Sequence, residues 1–180
     1  YQIQSSKYLS AAELARIEKL EHALEIYWNG KKALHALRYV GDNYSSFEFL
    51  LALGEKFGEE HDYHKFSLTD VFDCLHAYAL EQYPNDTILH ELIALDYYLH
   101  FKIKPQQRYL QAIEKPELNT LLSNYDASGR KRFLAFELSF DFKTYTRSAD
   151  VIQGKNNIII GYNGTEKAKI LSQQLPATII

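Results

Sequence analysis

Apolar residues recur at steps of three and four through the first hundred positions, and then the period changes. Leu14, Ile17, Leu20, Leu24 and Tyr27 line one side of a helix, while Glu18, Lys19, Glu21, His22 and Glu25 occupy much of the rest. Ser10 with Glu13 forms a capping box at its start. Asn29-Gly30 is expected to end it, because glycine enters the left-handed conformation without steric cost. Ala33, Leu34, Leu37 and Val40 mark a second, shorter helix that stops at Gly41-Asp42. Ser45 and Glu48 repeat the capping spacing and open a third, with Phe47, Leu50, Leu51 and Phe57 on one side. Gly54 and Gly58 weaken that helix by ~1 kcal/mol each relative to alanine. Residues 59–66 read as a polar loop. Ser67 with Asp70 opens a fourth helix carrying Leu68, Val71, Phe72, Leu75 and Ala79, stopped by Pro84-Asn85, and Asp86 caps the next.

The fifth helix, over 87–101, is apolar on nearly every side, which marks a buried helix. Beyond Pro105 come a short segment at 107–113 and a helix over 116–125 with Pro116 at its start. After Asp126-Ala127-Ser128-Gly129 the alternation has period two. Phe136, Leu138, Phe140 and Phe142 are expected on one buried face of a strand, against Glu137, Ser139, Asp141 and Lys143. Residues 157–162 form a β-branched strand, Asn163-Gly164 a hairpin turn, and 168–172 a possible return. The pattern predicts an α+β fold, predominantly α: five to six helices around a buried central helix, followed by a small antiparallel sheet near the C-terminus. It reads as one domain over 1–180, with a helical part at 10–125 and a β part at 131–172.

Composition adds a soluble core, with 46% hydrophobic and 24% charged residues, and unusually many rings: 14 Tyr, 10 Phe and one Trp. A net charge of −3 argues against general binding of nucleic acid, which needs a basic surface. Lys102, Lys104 and Arg108, and then Arg130, Lys131 and Arg132, are local basic clusters that read as solvated edges. There is no apolar run of membrane-spanning length. The opening YQIQSSKYLS has neither initiator Met nor signal-peptide character, so the chain reads as a fragment of a longer protein. One cysteine, Cys74, suits a reducing, cytoplasmic location and excludes an internal disulfide or a cysteine-ligated cluster within the chain.

Few constellations carry chemistry. His61 and His64 are the close histidine pair, a candidate for sharing a metal, weighed against an ordinary solvated loop. Asp96 and His100 lie four apart in the most apolar helix, a candidate acid–base pair, weighed against partners among tyrosine hydroxyls or backbone. Nothing near Cys74 in sequence would activate a thiolate. Tyr8, Tyr27, Trp28, Tyr39 and Tyr44 are candidates for an interface, with core the favoured reading. No phosphate loop, nucleophile elbow, radical SAM cysteine triplet or cobalamin-binding D-x-H-x-x-G occurs.

Two stretches carry a resemblance. Residues 8–29 read Y-L-S-x-x-E-L-x-R-I-x-x-L-E-x-x-L-E-x-Y-x-N, followed by a basic helix with Leu37 and Arg38. Residues 91–105, ELIALDYYLHFKIKP, join a D-Y helix to a basic, proline-containing segment. Together they resemble the uncharacterised domain C-terminal to the radical SAM core in cobalamin-binding radical SAM proteins. The resemblance implies a parent enzyme, an Fe–S oxidoreductase using S-adenosylmethionine, a 4Fe–4S cluster and cobalamin. It implies upstream radical SAM and cobalamin-binding domains of the same chain as partners. The fragment itself is expected to hold no cofactor and no catalytic site. Two other readings stand beside it: a free-standing helical module binding a ligand or a protein, and an enzyme with an unrecognised site near Asp96 and His100.

Overall fold

The computed structural model describes residues 9–125 and 127–171. Tyr8 and Ser172, each part of an expectation above, lie outside them. The chain divides into two compact units, 1–93 and 94–180, and the division falls inside the fifth helix.

Unit 1 opens with α1 (Ala11–Ala23), whose capping box is formed as expected: Ser10 Oγ accepts from the Glu13 amide, and the Glu13 carboxylate accepts from the Ser10 amide at 2.7 Å. The helix then widens into a π-helical segment (Leu24–Asn29). The widening changes the job of Gly30. Its φ is −68°, not left-handed, and a Cβ there would sit 2.6 Å from the Ile26 carbonyl oxygen. The left-handed residue is Lys31, at φ 48°. The second helix, α2 (Leu34–Asn43), also corrects the expectation. It runs through Gly41-Asp42, and Tyr44 ends it in extended backbone.

In α3 (Ser46–Glu60), Ser45 caps through the Glu48 amide. Gly54 has a packing role rather than a merely weakening one: a Cβ at that position would lie 2.2 Å from the Lys19 carbonyl oxygen, so α1 crosses α3 at backbone contact. A Cβ at Gly58 would strike the Tyr63 ring, whose hydroxyl donates to the Gly54 carbonyl at 2.6 Å. The next helix, α4 (Leu68–Gln82), has the full Ser67–Asp70 capping box. Asp86 then caps α5 (Thr87–His100), accepting from the Leu89 amide, and also accepts from the hydroxyls of Tyr39 at 3.2 Å and Tyr44 at 2.6 Å. One carboxylate thereby fixes the end of α2 to the start of α5. Every residue from Glu91 to Tyr98 is buried, as the all-round apolar character of α5 requires.

Unit 2 holds the second half of α5, an irregular stretch over 101–114, α6 (Lys115–Leu122) and a three-stranded antiparallel sheet. The sheet order is β1 (Arg132–Phe140), β2 (Gln153–Tyr162), β3 (Lys169–Ile170). Ala135 pairs with Ile159 and Ile160 with Ile170. On one face of the sheet Phe136 meets the Tyr98 ring at 4.6 Å between centroids, and the Tyr162 hydroxyl donates to the Tyr98 carbonyl. The other face is covered too. Ala135, Ile159 and Leu171 pack against Leu118, Leu121 and Leu122 of α6, which is why Ala135, an apolar residue out of step with the alternation, is fully buried.

Phe142 is not on the strand. A shift in register follows Leu138, and Asp141 then starts α7 (Phe142–Ser148) by accepting from the amides of Lys143 and Thr144 and from the Thr144 hydroxyl. Phe142 is buried all the same, 6.3 Å from the Phe140 ring. The Asn163-Gly164 turn closes on the Asn163 side chain, which accepts from the amides of Thr165 and Glu166, with Gly164 at φ 86°. Residues 107–113 take no regular structure. The Tyr98 hydroxyl holds them, accepting from the Arg108 amide and donating to its carbonyl, and the Ile113 amide donates to Ala135 at the edge of β1.

Candidate functional site

Asp96 and His100 both lie in the second half of α5. Asp96 is 4% exposed and His100 half-buried. The imidazole is held at both nitrogens: Nδ1 is 3.4 Å from the Asp96 backbone carbonyl and Nε2 is 3.3 Å from the Lys167 ammonium. A carbonyl only accepts and an ammonium only donates, so Nδ1 carries the proton and Nε2 the lone pair. The ring thus links α5 to the loop before β3.

His61 and His64 sit in the loop after α3. His61 packs on Phe57, and its Nε2 is 3.9 Å from Glu60. His64 meets the His22 ring edge-on at 6.3 Å, while Tyr63 stacks on His22 at 4.0 Å. Among the described residues no group of three or more His, Cys, Asp or Glu is placed to hold a metal ion.

Cys74 is buried, and its desolvation pushes the thiol up to about 12, so a thiolate is disfavoured. Tyr27 is fully buried and donates to the Val71 carbonyl at 3.0 Å, a core residue. Tyr39 is also buried; desolvation first, and then the Asp86 carboxylate, push its phenol up to about 12. Trp28, by contrast, is 53% exposed.

Among the described residues, each unit carries a concave surface of interest. In unit 1 an apolar groove runs between α1 and α3, lined by Leu9, Glu13, Arg16, Ile17, Leu20, Phe47 and Leu51. Ile17 and Phe47 are 47% and 61% exposed there, well outside core values. In unit 2 a larger groove of about 690 Å³ lies between the 104–114 stretch, α6 and the start of β1. It gathers Lys104 from one basic cluster and Lys131 and Arg132 from the other, with Lys115 from α6, so these cations are not scattered edges. Sequence reasoning missed this site because its residues come from segments up to 30 positions apart, from Lys104 to Leu134, brought together by the irregular stretch and α6.

The family comparison bears on the first of these grooves. The chain belongs to a family described as a protein of unknown function, DUF4080, whose model matches residues 1–158. No curated protein and no solved structure matches it. Five of the seven residues lining the apolar groove, Leu9, Glu13, Arg16, Ile17 and Leu20, are positions of the capped-helix pattern that carries the family resemblance.

Proposed function

We propose that the chain is a non-catalytic accessory domain, C-terminal to the catalytic part of a cobalamin-binding radical SAM protein, and that it packs on that part through the α1–α3 groove. The observation that carries the reading is the coincidence of pattern and surface. The family match covers these positions, and they include an apolar residue, Ile17, that the fold leaves half in solvent. Apolar area of that kind marks contact surfaces. Phe47 extends the same face from α3. The domain's part is to brace the catalytic region or help close its substrate site. S-adenosylmethionine, the 4Fe–4S cluster and cobalamin belong in this reading to the upstream domains, and the location is cytoplasmic. No helix among the described residues is long and apolar enough to cross a membrane.

The reading frame of the gene tests the parentage. A C-x-x-x-C-x-x-C triplet encoded in frame upstream of Tyr1 is expected, because radical SAM chemistry in the family it resembles needs a cluster on cysteine thiolates. A frame without such a triplet would sink the proposal and leave the free-standing binding module as the better reading.

A further inference from the structure

The geometry points to a binding site for a small organic phosphate in the basic groove of unit 2: a phosphate ester of nucleotide type, with its anionic end on the lysines and arginine and its flat, apolar body on the groove floor. Four cations, Lys104, Lys115, Lys131 and Arg132, line the groove against one carboxylate, Glu114. All four are exposed, and among the described residues none of the four is in an ion pair. Arg130 and Lys169, by comparison, lie within ion-pair reach of Glu166, Lys155 pairs with Glu137, and Lys167 meets His100. Four like charges against a single carboxylate repel one another on balance, and an arriving anion relieves that repulsion.

The rest of the lining narrows the class. Gln107, Gln111 and Asn119 add neutral hydrogen-bond donors, which suit an anion with many oxygens. Ile113, Leu118, Leu122 and Phe133 form an apolar floor that a free inorganic anion would leave unused. An aromatic ring beside cations is what a base-plus-phosphate ligand stacks on. The volume of about 690 Å³ is within the ~300–1,000 Å³ of small-molecule sites. A nucleic-acid strand is disfavoured by the net charge of −3. The site does not depend on the accessory-domain reading, since it is built entirely within unit 2.

Calorimetric titration with ADP at low ionic strength tests the site, with pyrophosphate, adenosine and a Glu-rich peptide as comparison ligands. ADP is expected to bind with a 1:1 stoichiometry and to weaken as salt rises. Lys131→Glu and Arg132→Glu are each expected to weaken ADP about tenfold or more, since a hydrogen bond to a charged group is worth that much. Both side chains are exposed, so both variants keep the wild-type melting temperature. The same reversal at Lys65, in unit 1, is expected to leave ADP binding unchanged. Pyrophosphate is expected to bind several-fold more weakly than ADP, because it leaves the floor uncovered. The proposal is overturned by any of four results: no ADP binding, groove variants that bind ADP as tightly as wild type, pyrophosphate equal to ADP, or the Glu-rich peptide binding more tightly than ADP.

Discussion

Gly54 is the residue on which the helical unit is most finely set. The Lys19 carbonyl approaches so closely that a Cβ would overlap it, and the overlapped atom is backbone, which yields poorly. Gly54→Ala gains ~1 kcal/mol of helix propensity but forces α1 away from α3, and overpacking costs ~1–3 kcal/mol. A net loss of stability is expected by denaturant unfolding; an alanine variant more stable than wild type would show that the crossing is loose. His76 makes a second residue-scale prediction. Burial, and then the neighbouring His90, lower its pKa below the ordinary 6.5, with Asp73 opposing. The unfolded chain therefore binds more protons than the folded one once the pH falls through about 6.5, so stability is full above that value and declines below it. His76→Gln is expected to flatten the pH dependence of Tm between pH ~7.5 and ~5.5. An unchanged slope would place the effect on other groups. The two glycines also mark a limit of sequence reading. Gly30 reads in sequence as a helix end and Gly54 as a weak point inside a helix, yet one accommodates a π-helical turn and the other a helix crossing, and both depend on atoms that sequence spacing does not locate.

At the scale of elements, the caps and the buried helix were legible because their causes are local. Ser10, Ser45, Ser67 and Asp86 each accept from an amide three residues on, and the all-round apolar character of 87–101 could only be satisfied inside. Leu92 is fully buried in that helix, and Leu92→Ala is expected to cost ~2–5 kcal/mol, read as a lowered denaturant midpoint. A variant that unfolds at the wild-type midpoint would mean that α5 does not carry the core. The strand was legible only to Phe140. Asp141-Phe-Lys-Thr continues the alternation, but the aspartate captures two amides and a hydroxyl and turns the chain into α7. A period of two and an N-cap competed at the same residues, and the cap won because Phe142 stays buried either way. The cover that α6 gives the second sheet face was illegible for a different reason. Leu118, Leu121 and Leu122 announce an apolar helix face, but not the surface it meets.

Across the whole molecule, the same helices serve the core and the proposed contact. Residues of α1 that looked like core and cap positions in sequence divide once folded: Ala23 is buried, Glu13 closes the capping box, and Ile17 faces outward beside Phe47. Periodicity identifies an apolar stripe and cannot say how much of it the chain's own fold will cover. Asp96 and His100 were placed together by spacing alone, and the structure adds what spacing could not: the ring is anchored through backbone and Lys167. The accessory-domain reading requires the α1–α3 face to meet the catalytic region, so the most direct measurement is binding in trans. The chain is titrated, as wild type and as Phe47→Asp, into a separately produced radical SAM and cobalamin-binding region, the part that this reading assigns to its parent. Phe47 is 61% exposed, so the substitution leaves the fold intact and its melting curve is the control. Saturable binding by wild type, weakened about tenfold or more by Phe47→Asp, is the expected result, since an apolar anchor in an interface is worth ~1–2 kcal/mol or more. Absence of binding by wild type, or equal binding by a folded Phe47→Asp chain, would contradict it.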